Sequence, residues 1–130
     1  MSVMKGVKTY LISKGVSVPV FIDNIPEGET ECIGLYRYWG QSSLNKAGIE
    51  RVGLQVRCRS ESYEEAIATA KFICSILWEI GDDINKNGDV LDIDGIKYLW
   101  AYPKQNAYQS NKENSKFVEV LQSYGLNLLP

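Results

Sequence analysis

The chain contains no histidine. That absence removes the commonest general base, the histidine-dependent nucleophile triads and most zinc and iron sites. Cysteine is scarce: Cys32, Cys58 and Cys74 form an odd, widely spaced set. Cys58 and Cys74 fall on apolar faces of patterned segments, so free buried thiols are expected rather than a disulfide or a metal site. Basic residues are not in excess: 14 Lys and Arg stand against 16 Asp and Glu, a net charge of −2. That balance argues against a general binder of nucleic acid or acidic membranes. No apolar run approaches the roughly 20 residues of a membrane span. Near the amino terminus Lys5 and Lys8 precede no uninterrupted apolar core and no small-residue cleavage pattern, which predicts cytoplasmic residence. Glycine-rich phosphate loops are missing too, since GLQVRCR and GDDINKNG fit neither the dinucleotide nor the P-loop pattern. The acidic pairs Asp82-Asp83 and Glu64-Glu65 are sequence neighbours with no sign of a cleft around them. Nothing argues for an enzyme.

What is present is the pattern of a small mixed domain. The 130 residues are 45% apolar and 23% charged, enough for a single domain over 1–130 with one core. The most legible stretch is Arg51–Ile80. Val52, Leu54, Val56 and Cys58 alternate with Gly53, Gln55, Arg57 and Arg59, the period of a strand with one buried face. Ala66, Ile67, Ala70, Ile73, Cys74 and Leu77 then recur at helical spacing. Between them, Ser62 and Glu65 have capping-box spacing, and Glu64 and Glu65 sit where the helix dipole is positive.

Around this unit, Ser2–Lys14 reads as a short amphipathic helix that Gly15 stops, with Gly6 a weak point inside it. Val18–Ile22 is a short strand in which Pro19 marks an edge position or a strand start, and Cys32–Tyr38 a second strand. Gly81–Gly88 reads as a turn, with Asn87-Gly88 a tight-turn signal. Val90–Ile93, a turn at Asp94-Gly95 and Ile96–Tyr102 follow as strand, turn and strand, the last with Ile96, Tyr98, Trp100 and Tyr102 on one face. Pro103–Ser115 is a polar loop, Lys116–Tyr124 a last strand, and LNLLP a tail. This order predicts an α+β fold: a mostly antiparallel sheet of about five to six strands, with the N-terminal helix and one long helix packed on one face.

Asp83–Asp94 matches the EF-hand template, with Asp83, Asn85 and Asn87 at the first three ligand positions, Gly88 sixth and Asp94 twelfth. Against calcium stand Asp rather than Glu at the last position, Leu91 at the ninth, and a β-rich run where an exiting helix belongs. The alternative functional reading is therefore a small binding or regulatory domain with a calcium loop at 83–94. The aromatic groups Tyr36, Tyr38, Trp39 and Tyr98, Trp100, Tyr102 suit core or subunit packing better than base stacking, which also needs a basic groove.

One succession of residues goes further. Ile25-Pro26-Glu27-Gly28 leads into Glu31-Cys32-Ile33-Gly34-Leu35-Tyr36 and Tyr38-Trp39-Gly40. After a loop come Gly53-Leu54-Gln55-Val56-Arg57-Cys58-Arg59 and Ser62-Tyr63-Glu64-Glu65-Ala66. Over Val20–Ile80 the chain thus resembles the minor capsid and tail-terminator (tail completion) proteins of tailed bacteriophages and prophages. The resemblance implies a virion protein, assembled in the bacterial cytoplasm, that works without catalysis or cofactor. Such proteins form a ring, typically a hexamer, on the head-proximal end of the tail. There they meet the major tail protein and the head-completion or connector proteins, and DNA passes through the lumen without sequence-specific recognition. An acidic protein suits that passage, because a negative lumen does not hold phosphates by ion pairing. Gln55, Arg57 and Arg59 carry the resemblance on the polar strand face and are candidate subunit contacts. Gln41, Ser42, Ser43, Asn45 and Lys46, with Lys104, Gln105, Asn106 and Tyr108, lie in the two polar loops Gln41–Gly48 and Lys104–Ser115 and are candidate tail- or head-facing contacts. Charge reversal at Arg57 and Arg59 is expected to weaken assembly and spare the fold.

Overall fold

A computed structural model describes residues 3–38, 49–87, 90–111 and 116–129, with 81–87 described as backbone. Helix α1 (Val3–Ser13) leads into strands β1 (Val20–Ile22), β2 (Cys32–Tyr38) and β3 (Glu50–Ser60). Helix α2 (Tyr63–Asn87) follows, then β4 (Leu91–Ile93), β5 (Ile96–Pro103), β6 (Tyr108–Gln109) and β7 (Val118–Leu129). The sheet runs β1-β2-β3-β7-β5-β4, and β6 adds to β7 beyond the end of β5. Among the described residues only the β1–β2 pairing is parallel. The architecture is α+β, with both helices on one face of a largely antiparallel sheet.

The local punctuation acts as its chemistry requires. Gly15, at φ 104°, ends α1, with the amide of Val16 donating to the Leu11 carbonyl at 3.2 Å. Ser62 caps α2: its Oγ accepts from the Glu65 amide at 3.4 Å. The reciprocal arm goes elsewhere, since the Glu65 carboxylate accepts from the Ser60 hydroxyl at 3.0 Å, and the Ser62 amide donates to the same hydroxyl oxygen. Asp94 and Gly95, with φ of 53° and 86°, make the two-residue turn that sets Ile93 against Ile96.

The core lies between helices and sheet. Ile33, Leu35, Val52, Leu54, Val56, Cys58, Val120, Tyr124, Leu126 and Leu128 face Met4, Val7, Leu11, Ala66, Ala70, Ile73, Leu77 and Ile80. Gly6 of α1 is explained by this packing, because a Cβ there would run into the hydroxyl of fully buried Tyr98. That hydroxyl donates to the Val3 carbonyl at 2.9 Å, tying α1 to β5. Burial pushes the Tyr98 phenol up to about 12, with the Asp94 charge adding to it. Tyr124 is pushed up as well, chiefly by burial and then by Cys74 beside it. Unfolded tyrosines ionise near about pH 10, so these groups contribute stability that is complete below that pH and is lost as pH rises through about 12. The melting temperature should therefore fall between pH 10 and 12, less steeply in Tyr98→Phe. Equal slopes for the two proteins would contradict the assignment.

Several expectations need correction. α2 does not stop near Ile80 but continues through Gly81 to Asn87. The sequence repeats apolar residues at Ile73, Leu77, Ile80 and Ile84, and one interior glycine costs only about 1 kcal/mol. The helix ends at Asn87, the first residue of the Asn-Gly step. This also removes the calcium loop: Asp83, Asn85 and Asn87 stand on helical backbone, and Leu91–Ile93 is strand. Among the described residues no acidic, cysteine or histidine group could hold a metal. Thermal melts with calcium and with chelator should coincide; a calcium-dependent rise would restore the loop.

Among the described residues the sheet has six strands in its main order, and a seventh is added where Tyr108–Gln109 within the polar loop pairs with Leu121 and Val120. The last strand absorbs the tail as far as Leu129 and lies between β3 and β5, not at an edge. In β5, the register shifts between Tyr98 and Trp100. Tyr98 stays in the core, while Trp100 and Tyr102 are thrown to the opposite face and Ala101 turns inward.

Candidate functional site

The helix-free face of the sheet collects most of the residues that sequence singles out. Cross-strand register assigns its rows. Arg51, Asn127 and Trp100 form one row, and Tyr38, Gly53, Gly125 and Tyr102 the next. Then come Tyr36, Gln55 and Ser123, followed by Gly34, Arg57, Leu121 and Tyr108, and by Cys32, Arg59 and Glu119. The glycines have a use here. Tyr38 lies flat over Gly53 and Tyr102 over Gly125, where an added Cβ would come within 2.7 and 2.5 Å of the rings. Ile25 from the β1–β2 loop covers Gly34 in the same way. Aromatic rings laid across glycines cover backbone that would otherwise be open.

Arg57 and Arg59 are bound within the chain. Both reach Glu119, which is 5% exposed: Arg59 Nε at 2.8 Å and Arg57 Nη1 at 3.3 Å. The Ser110 hydroxyl donates to the same carboxylate at 2.8 Å. Gln55 Oε1 accepts from Arg57 Nε at 2.8 Å. Arg57 lies 4.9 Å from the Tyr36 ring centre and Arg59 4.3 Å from that of Phe117. A fold argument therefore does require the arginines: they neutralise a buried carboxylate on a central strand. These contacts predict that reversing their charge weakens the fold rather than sparing it.

The other named residues are dispersed. Lys104 is exposed, with its ammonium 5.1 Å from the Tyr38 ring centre and its amide donating to the Ser123 carbonyl at 2.8 Å. The Gln105 carbonyl accepts from Gln122 Nε2 at 2.8 Å; its side chain and that of Asn106 are exposed. Tyr108 stands half out of the surface on β6. Gln41, Ser42, Ser43, Asn45 and Lys46, and also Trp39, lie outside the described residues. Sequence reasoning allows the arginines an acidic partner on an adjacent strand but does not single out Glu119, although an acid inside the alternating FVEVLQ is a usable signal. It also misplaced Trp100 and Tyr102.

Reactive groups do not converge among the described residues. All three thiols are free; burial pushes Cys58 up to about 12 and raises Cys32, with Arg59 opposing the latter. Burial thus works against thiolate formation at both. A concavity of about 360 Å³ between the start of α1 and the β4–β5 turn holds Arg37 and Glu50 as an ion pair at 3.4 Å, beside Asp94 and apolar walls. No described helix is long and apolar enough to cross a membrane.

No protein-family model matches the sequence, and no curated protein matches it either. Among solved structures, a chain of the "Virion of native gene transfer agent (GTA) particle" is similar, with a TM-score of 0.62 and 14% identity. The alignment covers 98% of this chain and 94% of that one. At that identity the likeness establishes a shared fold over the full length.

Proposed function

We propose that this chain, as a single domain, is a non-enzymatic structural protein of a phage or prophage-type particle. In this reading it caps the head-proximal end of the tail tube as a ring of identical copies and joins it to the head. The observation that carries the reading is the fold shared end to end with a chain of a virion. The Gln55-Val56-Arg57-Cys58-Arg59 strand and the Tyr63-Glu64-Glu65-Ala66 helix start support it independently. The geometry fits: a covered sheet face with exposed aromatic and charged side chains at one end suits repeated protein contact. Its partners are further copies of itself, the major tail protein and the head-completion proteins, with DNA passing through unread. Deletion of the gene from a producing strain should leave tails of uncontrolled length or unjoined to heads, visible by negative-stain microscopy. Intact particles in normal number would refute the role.

A further inference from the structure

Resting on that ring reading, we infer that the end of the outer sheet face bearing Arg51, Lys97, Trp100, Tyr102 and Lys104 docks the acidic end of a second copy of this chain, head to tail. Arg51, Lys97 and Lys104 are all exposed, although the chain as a whole is acidic. Around them Trp100 is 41% and Tyr102 37% exposed, placed on this face by the β5 bulge. Among the described residues the one carboxylate in these rows, Asp92 opposite Lys97, accepts from the Gly95 amide at 3.0 Å. An aromatic pair ringed by cations is the composition of an interface core with a charged rim.

The matching surface is at the far end of the same strand. Glu27, Glu31, Glu61, Glu64 and Glu65 are exposed there, around a half-exposed Tyr63. Of the cations near it, Arg59 is held by Glu119, and exposed Lys116, two residues before the partner of Ser60, leaves the glutamates in excess. Ten residues of extended chain separate Arg51 from Glu61, about 33 Å. Complementary patches that far apart on one subunit make a heterologous contact, which continues from copy to copy until a ring closes. Opposite charges steer the encounter and fix its register, while like ends repel.

The test uses the full chain in two variants, Arg51→Glu with Lys104→Glu, and Glu27→Lys with Glu61→Lys. None of these four side chains is hydrogen-bonded in the core, and circular dichroism and melting confirm folding. Sedimentation should show wild type associating beyond two copies, more weakly at high salt. Each variant alone should have a dissociation constant raised at least about tenfold. Mixed, the two should form a complex through their remaining opposed charges. Variants that associate like wild type would overturn the docking assignment and leave the ring standing. Association that stops at two copies would overturn the head-to-tail order. A wild type that stays monomeric would overturn self-docking, and the particle role is judged separately by the gene deletion. Wild type that captures a single-stranded oligonucleotide through Arg51 and Lys104, with unaltered self-association in the variant, would assign the patch to nucleic acid instead.

Discussion

Arg59→Glu should cost about 3–5 kcal/mol of folding stability, a large part of what a domain of this size possesses. Glu119 is almost fully buried on the central strand β7, and its charge is tolerated because Arg59, Arg57 and Ser110 all point hydrogens at it. Reversal at Arg59 removes the shortest of the two ion pairs, 2.8 Å against 3.3 Å, and sets a second carboxylate beside the first. Arg57→Glu should cost less, because Arg57 is the more exposed of the two and makes the longer contact. Urea unfolding measures both. A midpoint shift equivalent to less than about 1 kcal/mol for Arg59→Glu would mean the pair is only surface decoration.

Gly6→Ala should destabilise by about 2–4 kcal/mol, from overpacking and the loss of the buried Tyr98–Val3 hydrogen bond. The sign is opposite to helix propensity, which favours alanine in a helix interior by about 1 kcal/mol. The added methyl would meet the Tyr98 hydroxyl, and Tyr98 is 1% exposed with no room to withdraw. Tyr98→Phe removes the obstructing oxygen, so the double variant Gly6→Ala with Tyr98→Phe should be more stable than Gly6→Ala alone. That coupling, read as a double-mutant cycle, separates the contact from any general intolerance of α1. A neutral or stabilising Gly6→Ala would show that α1 and β5 are not packed as described.

Local signals were legible in the chain and distant ones were not. Cys32–Tyr38 forms β2 with the expected ends, and Gly15, Ser62 and Asp94-Gly95 perform the turns and caps that their chemistry predicts. Those features depend on neighbours within a few residues. The bulge in β5 does not, since nothing local to Leu99 tells a strict alternation from one that skips a residue. For the same reason Trp100 and Tyr102 were assigned to the face of Tyr98. The central place of β7 depends on β3, 58 residues earlier at Ser60 and Val118, and a period of two gives no rank within a sheet. Gly81 suggested a stop, but tertiary packing of the apolar stripe carries α2 past it.

The site shows the same division. Gln55, Arg57 and Arg59 were correctly set on the polar face of β3, yet their partner Glu119 lies 60 residues from Arg59 and only the register brings them together. The proposed docking contacts accordingly lie at the two ends of that face rather than in its middle. The polar loop after β5 keeps Lys104 as an exposed cation, while Gln105 contributes its backbone to holding Gln122.

The central claim, that this chain is a ring-forming component of the head–tail junction, is tested most directly by electron cryomicroscopy of particles from a strain that carries its gene. The account predicts closed-ring density at the head-proximal end of the tail into which this fold fits copy by copy, with Trp100 and Tyr102 of each copy against the Glu61 end of the next. Junction density that accommodates no copy of this fold would contradict it.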